Sequence, residues 1–219
     1  MAVSSEADLA AVVVAWLEML GADVYQEVEL LPRGIRADIV AKVRAEIWII
    51  ETKTSVSLAL IEQAMERRRF AHRVFIAAPT GRARAGALVC AELGIGVLDV
   101  FIGRSDYEPP RVREVCPSRR WNSRPVKLAS KLRPEHKTAC PAGSPTGGHW
   151  TQFRATCEQL TRTVRDAGPD GLTIKEAIAS KHHYASLAGA RSSLAQWIRE
   201  GRMPGVRLED GRLYPTEVR

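Results

Sequence analysis

Asp38, Glu51 and Lys53 are the residues of this 219-residue chain whose types and spacing could do chemistry. Twelve residues separate Asp38 from Glu51, and Glu51-Thr52-Lys53 sets an acid and a base two positions apart. On an extended strand, side chains two apart share a face. Two carboxylates converging on one point bind a hard divalent cation such as Mg²⁺, which accepts one or two carboxylates and keeps its waters for chemistry. Mn²⁺ is the natural substitute. An ammonium beside them can hold or deprotonate an attacking water and offset charge developing on a phosphate. A Glu-x-Lys on a surface strand is common and carries nothing alone. Here Ile47-Trp48-Ile49-Ile50 precedes it, so polar residues end an apolar, buried run, where ionisable groups need a partner or a metal.

The elements that must position this set follow from hydrophobic period. Ser5 to Leu20 reads as a helix, with Leu9, Val12, Val13, Trp16, Leu17 and Leu20 at three- and four-residue spacings, a serine cap and Gly21 after its end. Ala22 to Leu30 reads as a strand with Val24, Gln26, Val28 and Leu30 on one face and Tyr25, Glu27 and Glu29 on the other. A Pro32-Arg33-Gly34 turn leads to strands over Ile35–Lys42 and Glu46–Lys53, the latter central by its branched and aromatic content. A helix over Leu58–Phe70, a strand over His72–Ala78, a helix over Arg84–Leu93 and a strand over Ile95–Phe101 complete the series. The order α-β-β-β-α-β-α-β predicts an α/β fold, a mixed central sheet flanked by helices.

With Arg36-Ala-Asp38-Ile-Val, Ile49-Ile-Glu51-Thr-Lys53 and a following helix that carries Gln63, the chain resembles the PD-(D/E)XK nuclease superfamily, the restriction-endonuclease-like fold, over residues 1–101. The resemblance implies Asp38 and Glu51 as metal ligands and Lys53 as the catalytic lysine. Many members add a glutamate from the first helix; Glu6 looks like that residue, with Glu18 as its competitor. Gln63 matches a glutamine that joins the site in related nucleases, although an exposed helix amide is the plainer reading. Ala37 stands where the motif has proline, a position often replaced in the superfamily.

Between Asp106 and Gly148 the hydrophobic period stops. Seven of the chain's twelve prolines lie between Pro109 and Pro145, and nine lysines and arginines face four acids. Residues 106–149 are therefore expected as a basic, proline-rich linker between a domain at 1–105 and another at 150–219. The second domain reads as a helix over Phe153–Ala167, a short helix over Thr173–Ser180 with Glu176 at the capping-box offset, a helix over Ala188–Glu200, and a hairpin over Val206–Pro215 around Asp210-Gly211. That is the order of a small winged-helix-like domain.

Net charge divides unevenly: residues 1–105 carry 12 basic against 13 acidic residues, residues 106–219 carry 20 against 12. Such asymmetry points to a polyanionic partner. Arg191, Ser192, Gln196 and Arg199 on the Ala188 helix, with Arg207 and Arg212 on the wing, are the right types for phosphate and base-edge contacts with DNA. Winged helices also mediate protein contacts. His182-His183-Tyr184 and the Gly-Gly-His-Trp150-Thr start resemble, more weakly, C-terminal modules of phage-encoded and bacterial proteins.

Other patterns carry less. Gly81-Arg82-Ala-Arg84-Ala-Gly86 lacks the ending of a phosphate loop, although its arginines could touch DNA. Arg67-Arg68-Arg69 reads as a solvated helix face or a phosphate path. Cys116, His136, Cys140 and His149 have no short Cys-x-x-Cys pair to anchor zinc. Four scattered cysteines make no disulfide framework, and no apolar run approaches a membrane span or signal sequence, so a reducing cytoplasm without a membrane partner is expected. The sequence thus suggests a Mg²⁺-dependent DNA nuclease with a DNA-reading module. The alternative is a nuclease-like fold with unused chemistry, serving as a DNA-binding or regulatory adaptor. A homodimer is compatible with either.

Overall fold

The structure, a computed structural model, describes residues 5–31, 35–103, 108–122, 125–137, 141–143, 152–178, 186–203 and 205–216. The chain divides into two units, 1–150 and 151–219. The expected Pro32–Gly34 turn, Cys140, the 145–150 segment and His182-His183-Tyr184 lie outside the described residues.

In the first unit, β1 (Asp23–Leu31), β2 (Ile35–Val43) and β3 (Glu46–Thr52) form an antiparallel meander. From β3 the sheet continues in parallel through β4 (Arg73–Pro79) and β5 (Gly96–Phe101). Such parallel neighbours need helical crossovers, supplied by α2 (Leu58–Arg67) and α3 (Ala87–Leu93). The fold is α/β: a mixed sheet in the order β1-β2-β3-β4-β5-β6 with helices on both faces. On one face lies α1 (Glu6–Met19), whose Leu9, Ala10, Val13 and Leu17 pack on Ile39, Ile50, Phe75 and Leu98. On the other, Leu60, Ile61 and Ala64 of α2 and Cys90 of α3 cover Val40, Ile49, Ile76 and Val97. Burial from both sides is why β3 reads as a nearly continuous apolar run. Ser5 starts α1 with a capping box: its hydroxyl accepts from Asp8 N at 3.1 Å, and the Asp8 carboxylate accepts from Ser5 N at 3.1 Å.

Two expectations are corrected. The first is the single face of Val24, Gln26, Val28 and Leu30. Val24 packs in the α1-side cluster, whereas Val28 and Leu30 join Tyr25 on the α2 side. Between them Glu27 has φ 51°, a left-handed kink that breaks the two-residue alternation.

The second is the linker. Arg111–Cys116 form β6, which pairs antiparallel with β5 and closes the sheet. The chain beyond is stitched back onto the domain. Val74 N donates to Ser118 Oγ at 3.1 Å, Trp121 N to the His72 carbonyl at 2.8 Å, and Lys131 Nζ to the Leu30 carbonyl at 2.8 Å. A short helix, α4 (Val126–Ala129), is followed by a 3₁₀ turn at Pro134–Lys137, and Leu128, Leu132 and His136 are buried. β6 shows no hydrophobic period in the sequence because it is an edge strand: Arg111, Arg113 and Glu114 face solvent and only Val112, Val115 and Cys116 turn inward. Charged edges of this kind discourage further pairing and hide the strand's period.

The second unit has α5 (Gln152–Ala167), a 3₁₀ turn at Gly168–Asp170, β7 (Leu172–Thr173), α6 (Ile174–Ala177), α7 (Leu187–Arg199), β8 (Val206–Glu209) and β9 (Arg212–Pro215). Its sheet runs β7-β9-β8, and Leu160, Val164, Ile178, Ala190, Leu194 and Leu213 form the core. This is the winged-helix order, with β7 as a small addition. Asp210 (φ 47°) and Gly211 (φ 77°) make the two-residue hairpin turn, the conformation that Asp-Gly favours. Among the described residues, no helix is long and apolar enough to cross a membrane.

Candidate active site

The site sits where β2 and β3 part. Their ladder ends at the Ile39–Ile50 pair, and Asp38 fills the opening: its Oδ2 accepts from Thr52 N at 2.8 Å and from Thr52 Oγ1 at 3.1 Å. Those bonds satisfy a backbone donor that the diverging strand would otherwise orphan. Among the described residues Asp38 commits only Oδ2, which leaves Oδ1 for a ligand.

Glu51, on β3 beside Thr52, is fully buried. Its Oε2 accepts from Gln63 Nε2 at 2.6 Å and its Oε1 from Arg67 Nε at 2.8 Å. Gln63 and Arg67 are one helical turn apart on α2, so one face of that helix supplies both donors. Arg67 also donates through Nη2 to the Arg36 carbonyl at 3.0 Å, which ties β2 to β3 behind the acids. Lys53, one residue beyond β3, donates from Nζ to Glu6 Oε2 at 2.5 Å, while its backbone N bonds the Ala77 carbonyl at 3.1 Å.

Electrostatics tie the groups into one cluster. Burial, the Asp38 charge adding to it, raises the Glu51 carboxyl from the ordinary 4.5 to about 8, against the pull of Arg67 and Lys53. Asp38 is likewise raised by burial, although Thr52 and Lys53 pull it down. For Lys53, burial pulls the ammonium down, but the Glu6 hydrogen bond and the Asp38 and Glu51 charges outweigh it, leaving it raised and charged. Two neighbouring buried acids that resist ionisation are suited to take a cation, whose charge offsets theirs.

A carboxyl whose folded pKa is raised contributes fully below its unfolded value, and that contribution is lost as pH rises through the folded value. Metal-free protein is therefore expected to melt at lower temperature at pH 8 than at pH 5, with the loss spread between about 4.5 and about 8. Glu51→Gln should shrink that difference; an unchanged pH slope in the variant would show that Glu51 is not its source.

Asp38, Glu51, Lys53, Glu6 and Gln63 come together. Glu6 is the helix-one acid at the site, and Glu18 is exposed at the far end of α1. Glu6 does not, however, join Asp38 and Glu51 as a third ligand: it is held by Lys53, and no group of three histidine, cysteine or acidic side chains suited to a metal occurs among the described residues. Asp38 Oδ1 can still offer a hard oxygen to Mg²⁺, which needs only one or two carboxylates, and Glu51, whose oxygens accept from Gln63 and Arg67, would have to share one of them with the ion.

Arg67 is the residue that sequence reasoning missed. The run Arg67-Arg68-Arg69 suggests a solvated face or a phosphate path, yet the three point apart: Arg67 is 5% exposed on Glu51, Arg68 stacks over Trp121 and Arg69 over Phe70. The available signal was its four-residue spacing from Gln63. Of the residues weighed for zinc, Cys116 Sγ donates to the Ile95 carbonyl and His136 Nδ1 accepts from Arg133 N at 3.0 Å, while Cys140 and His149 lie outside the described residues.

In the second unit, Arg191, Ser192, Gln196 and Arg199 line one groove of about 750 Å³ with Thr173, Ala188 and Leu208. Arg191 and Arg199 are exposed and make no ion pair among the described residues. The two wing arginines are engaged: Arg207 pairs with Glu209 and lies over the Tyr214 ring, and Arg212 Nη2 donates to the Gly171 carbonyl at 2.9 Å.

No protein-family model and no curated protein sequence matches the chain. Among solved structures it is similar to a protein of unknown function from Silicibacter pomeroyi, at 20% identity and a TM-score of 0.43, over 58% of this chain and 82% of that one.

Proposed function

We propose that the chain is a metal-dependent DNA nuclease of the PD-(D/E)XK type that hydrolyses backbone phosphodiester bonds and is targeted by its C-terminal winged-helix unit. The observation that carries this reading is the meeting of Asp38, Glu51 and Lys53 at the parting of β2 and β3. Mg²⁺ (or Mn²⁺) held by Asp38 and Glu51 would supply water acidification and charge neutralisation at a phosphate. Gln63 and Arg67 hold Glu51 in one orientation from behind. Glu6 keeps Lys53 protonated and aimed across the site, where its ammonium can stabilise charge growing on a phosphate oxygen.

A second reading has its own observation. The Arg67 guanidinium already neutralises Glu51, as it would in a nuclease-like adaptor whose chemistry is unused. Incubating the full chain with labelled duplex, branched and single-stranded DNA in Mg²⁺ or Mn²⁺ separates the two. Cleavage supports the nuclease; binding without cleavage under either metal supports the adaptor.

For the C-terminal groove the expected outcome is graded. Arg191→Ala and Arg199→Ala should each weaken DNA binding and reduce the slope of log affinity against log salt by about 1, since each removes one phosphate contact. Arg212→Ala should leave that slope unchanged, because its guanidinium is spent on Gly171. Titrations by fluorescence anisotropy at several salt concentrations check both; slopes that do not move would assign the groove to a protein partner.

A further inference from the structure

Residues 141–143, which sequence composition assigns to a linker, lie against the site. Ala142 N donates to Gln26 Oε1 at 2.9 Å, and Gly143 N donates to Glu27 Oε1 at 3.0 Å. Glu27 is the kinked residue of β1, 4% exposed, and its other oxygen pairs with Arg36 Nε at 2.5 Å. That places an ionic latch on the strand next to Asp38, whose charge Glu27 feels. On its other side Gly143 abuts the first turn of α1. Its φ is +73°, and a Cβ there would stand 2.7 Å from the Glu6 carbonyl carbon, 2.9 Å from Ala7 N and 3.0 Å from Glu6 Cβ. Two of those neighbours are backbone, so only glycine fits without moving Glu6.

Glu27, Gly143, Glu6 and Lys53 thus form an unbroken series of contacts from β1 to the lysine. We propose that residues 141–143 are a strap that positions the catalytic site, with Glu27 as its latch, by fixing the start of α1 so that Glu6 stays on Lys53. The proposal rests on the nuclease reading for its catalytic consequence, and on geometry alone for the strap. Neither Glu27 nor Gly143 need touch substrate; both act through Glu6. The kink at Glu27 has a use in this light. Strict alternation would place its carboxylate elsewhere, and the left-handed residue turns it to meet the strap.

The test uses the full chain and three variants. Glu27→Ala removes the acceptor, Gly143→Ala removes the fit, and Glu27→Gln keeps an oxygen for Gly143 N. Glu27→Ala and Gly143→Ala should lower kcat on the order of tenfold to a hundredfold, as misplaced catalytic groups do, with KM for DNA unchanged. Glu27→Gln should recover most of the kcat that Glu27→Ala loses. Because both substitutions disturb the Gly143–Glu27 contact, the double variant should be little worse than either single one. Hydrogen exchange supplies the readout that needs no cleavage: amides of Asp8 and Leu9 should exchange faster in Glu27→Ala and Gly143→Ala, those of β4 at the wild-type rate. Wild-type kcat in Gly143→Ala, or unaltered exchange at Asp8 and Leu9, overturns the strap. A wild-type chain that cuts nothing overturns the nuclease reading instead, and the exchange result then decides the strap by itself.

Discussion

Lys53→Ala is expected to lower cleavage by about 10²- to 10⁴-fold, the range for loss of a positioned proton-transfer or charge-stabilising group, with DNA affinity nearly unchanged. The lysine side chain is 38% exposed, against 6% for Arg67, and it stands one residue past the end of β3. Its removal therefore opens no core cavity. It does free Glu6, so Glu6→Gln is the matching control. That variant keeps a hydrogen-bond acceptor for Nζ but withdraws one of the charges that keep the ammonium protonated. It should cost less than Lys53→Ala. Glu51→Gln should abolish turnover by weakening the metal site, with folding checked by circular dichroism since Glu51 is buried. The adaptor reading expects no cleavage by wild type and no phenotype for Lys53→Ala. Wild-type rates in Lys53→Ala, in protein freed of contaminating nuclease, would mean the site has been assigned to the wrong residues.

Arg67→Ala should have the largest effect on stability, about 3–5 kcal/mol, which is the usual cost of leaving one member of a buried ion pair alone. Three things are lost together: the guanidinium paired with Glu51 Oε1, the bond to the Arg36 carbonyl, and the packing of a side chain 6% exposed. Against a total stability of about 5–15 kcal/mol this approaches the margin of the fold. For a domain of this size it corresponds to a fall in Tm on the order of 10 °C, read by calorimetry. The cause can be separated from mere size. Arg67→Met combined with Glu51→Leu removes both charges and keeps the volume, so it should recover much of the stability while remaining inactive. A wild-type melting temperature in Arg67→Ala would show that the Glu51–Arg67 pair does not hold the fold together.

Much of the fold could be read from periodicity, because in the first unit the relevant forces are local. α1 announces itself by Leu9, Val13 and Leu17 on one stripe and by the Ser5 cap, and the hairpin of the second unit by Asp210-Gly211. Asp38, Glu51 and Lys53 were legible for the same reason: strand alternation and an apolar run ending in charge are properties of a few consecutive residues. That Gln63 reaches Glu51 rather than solvent was open in the sequence and decided by the docking of α2 on Ile49 and Ile76.

The rest depended on partners distant in sequence. β6 carries exposed charge because it lies at an edge, and an edge strand needs only β5 to exist, so its composition does not betray it. Arg67 could be told from Arg68 and Arg69 only by knowing which azimuth of α2 meets the acid on β3. The kink at Glu27 and the return of residues 141–143 to Glu6 join positions more than a hundred residues apart, and no local pattern marks either. Local sequence determined which elements form and which residue types could do chemistry, since backbone period and capping act within a turn or a strand. The tertiary structure decided which charges are neutralised, which acid meets the lysine and what holds them, since desolvation and ion pairing depend on every element packed around a site.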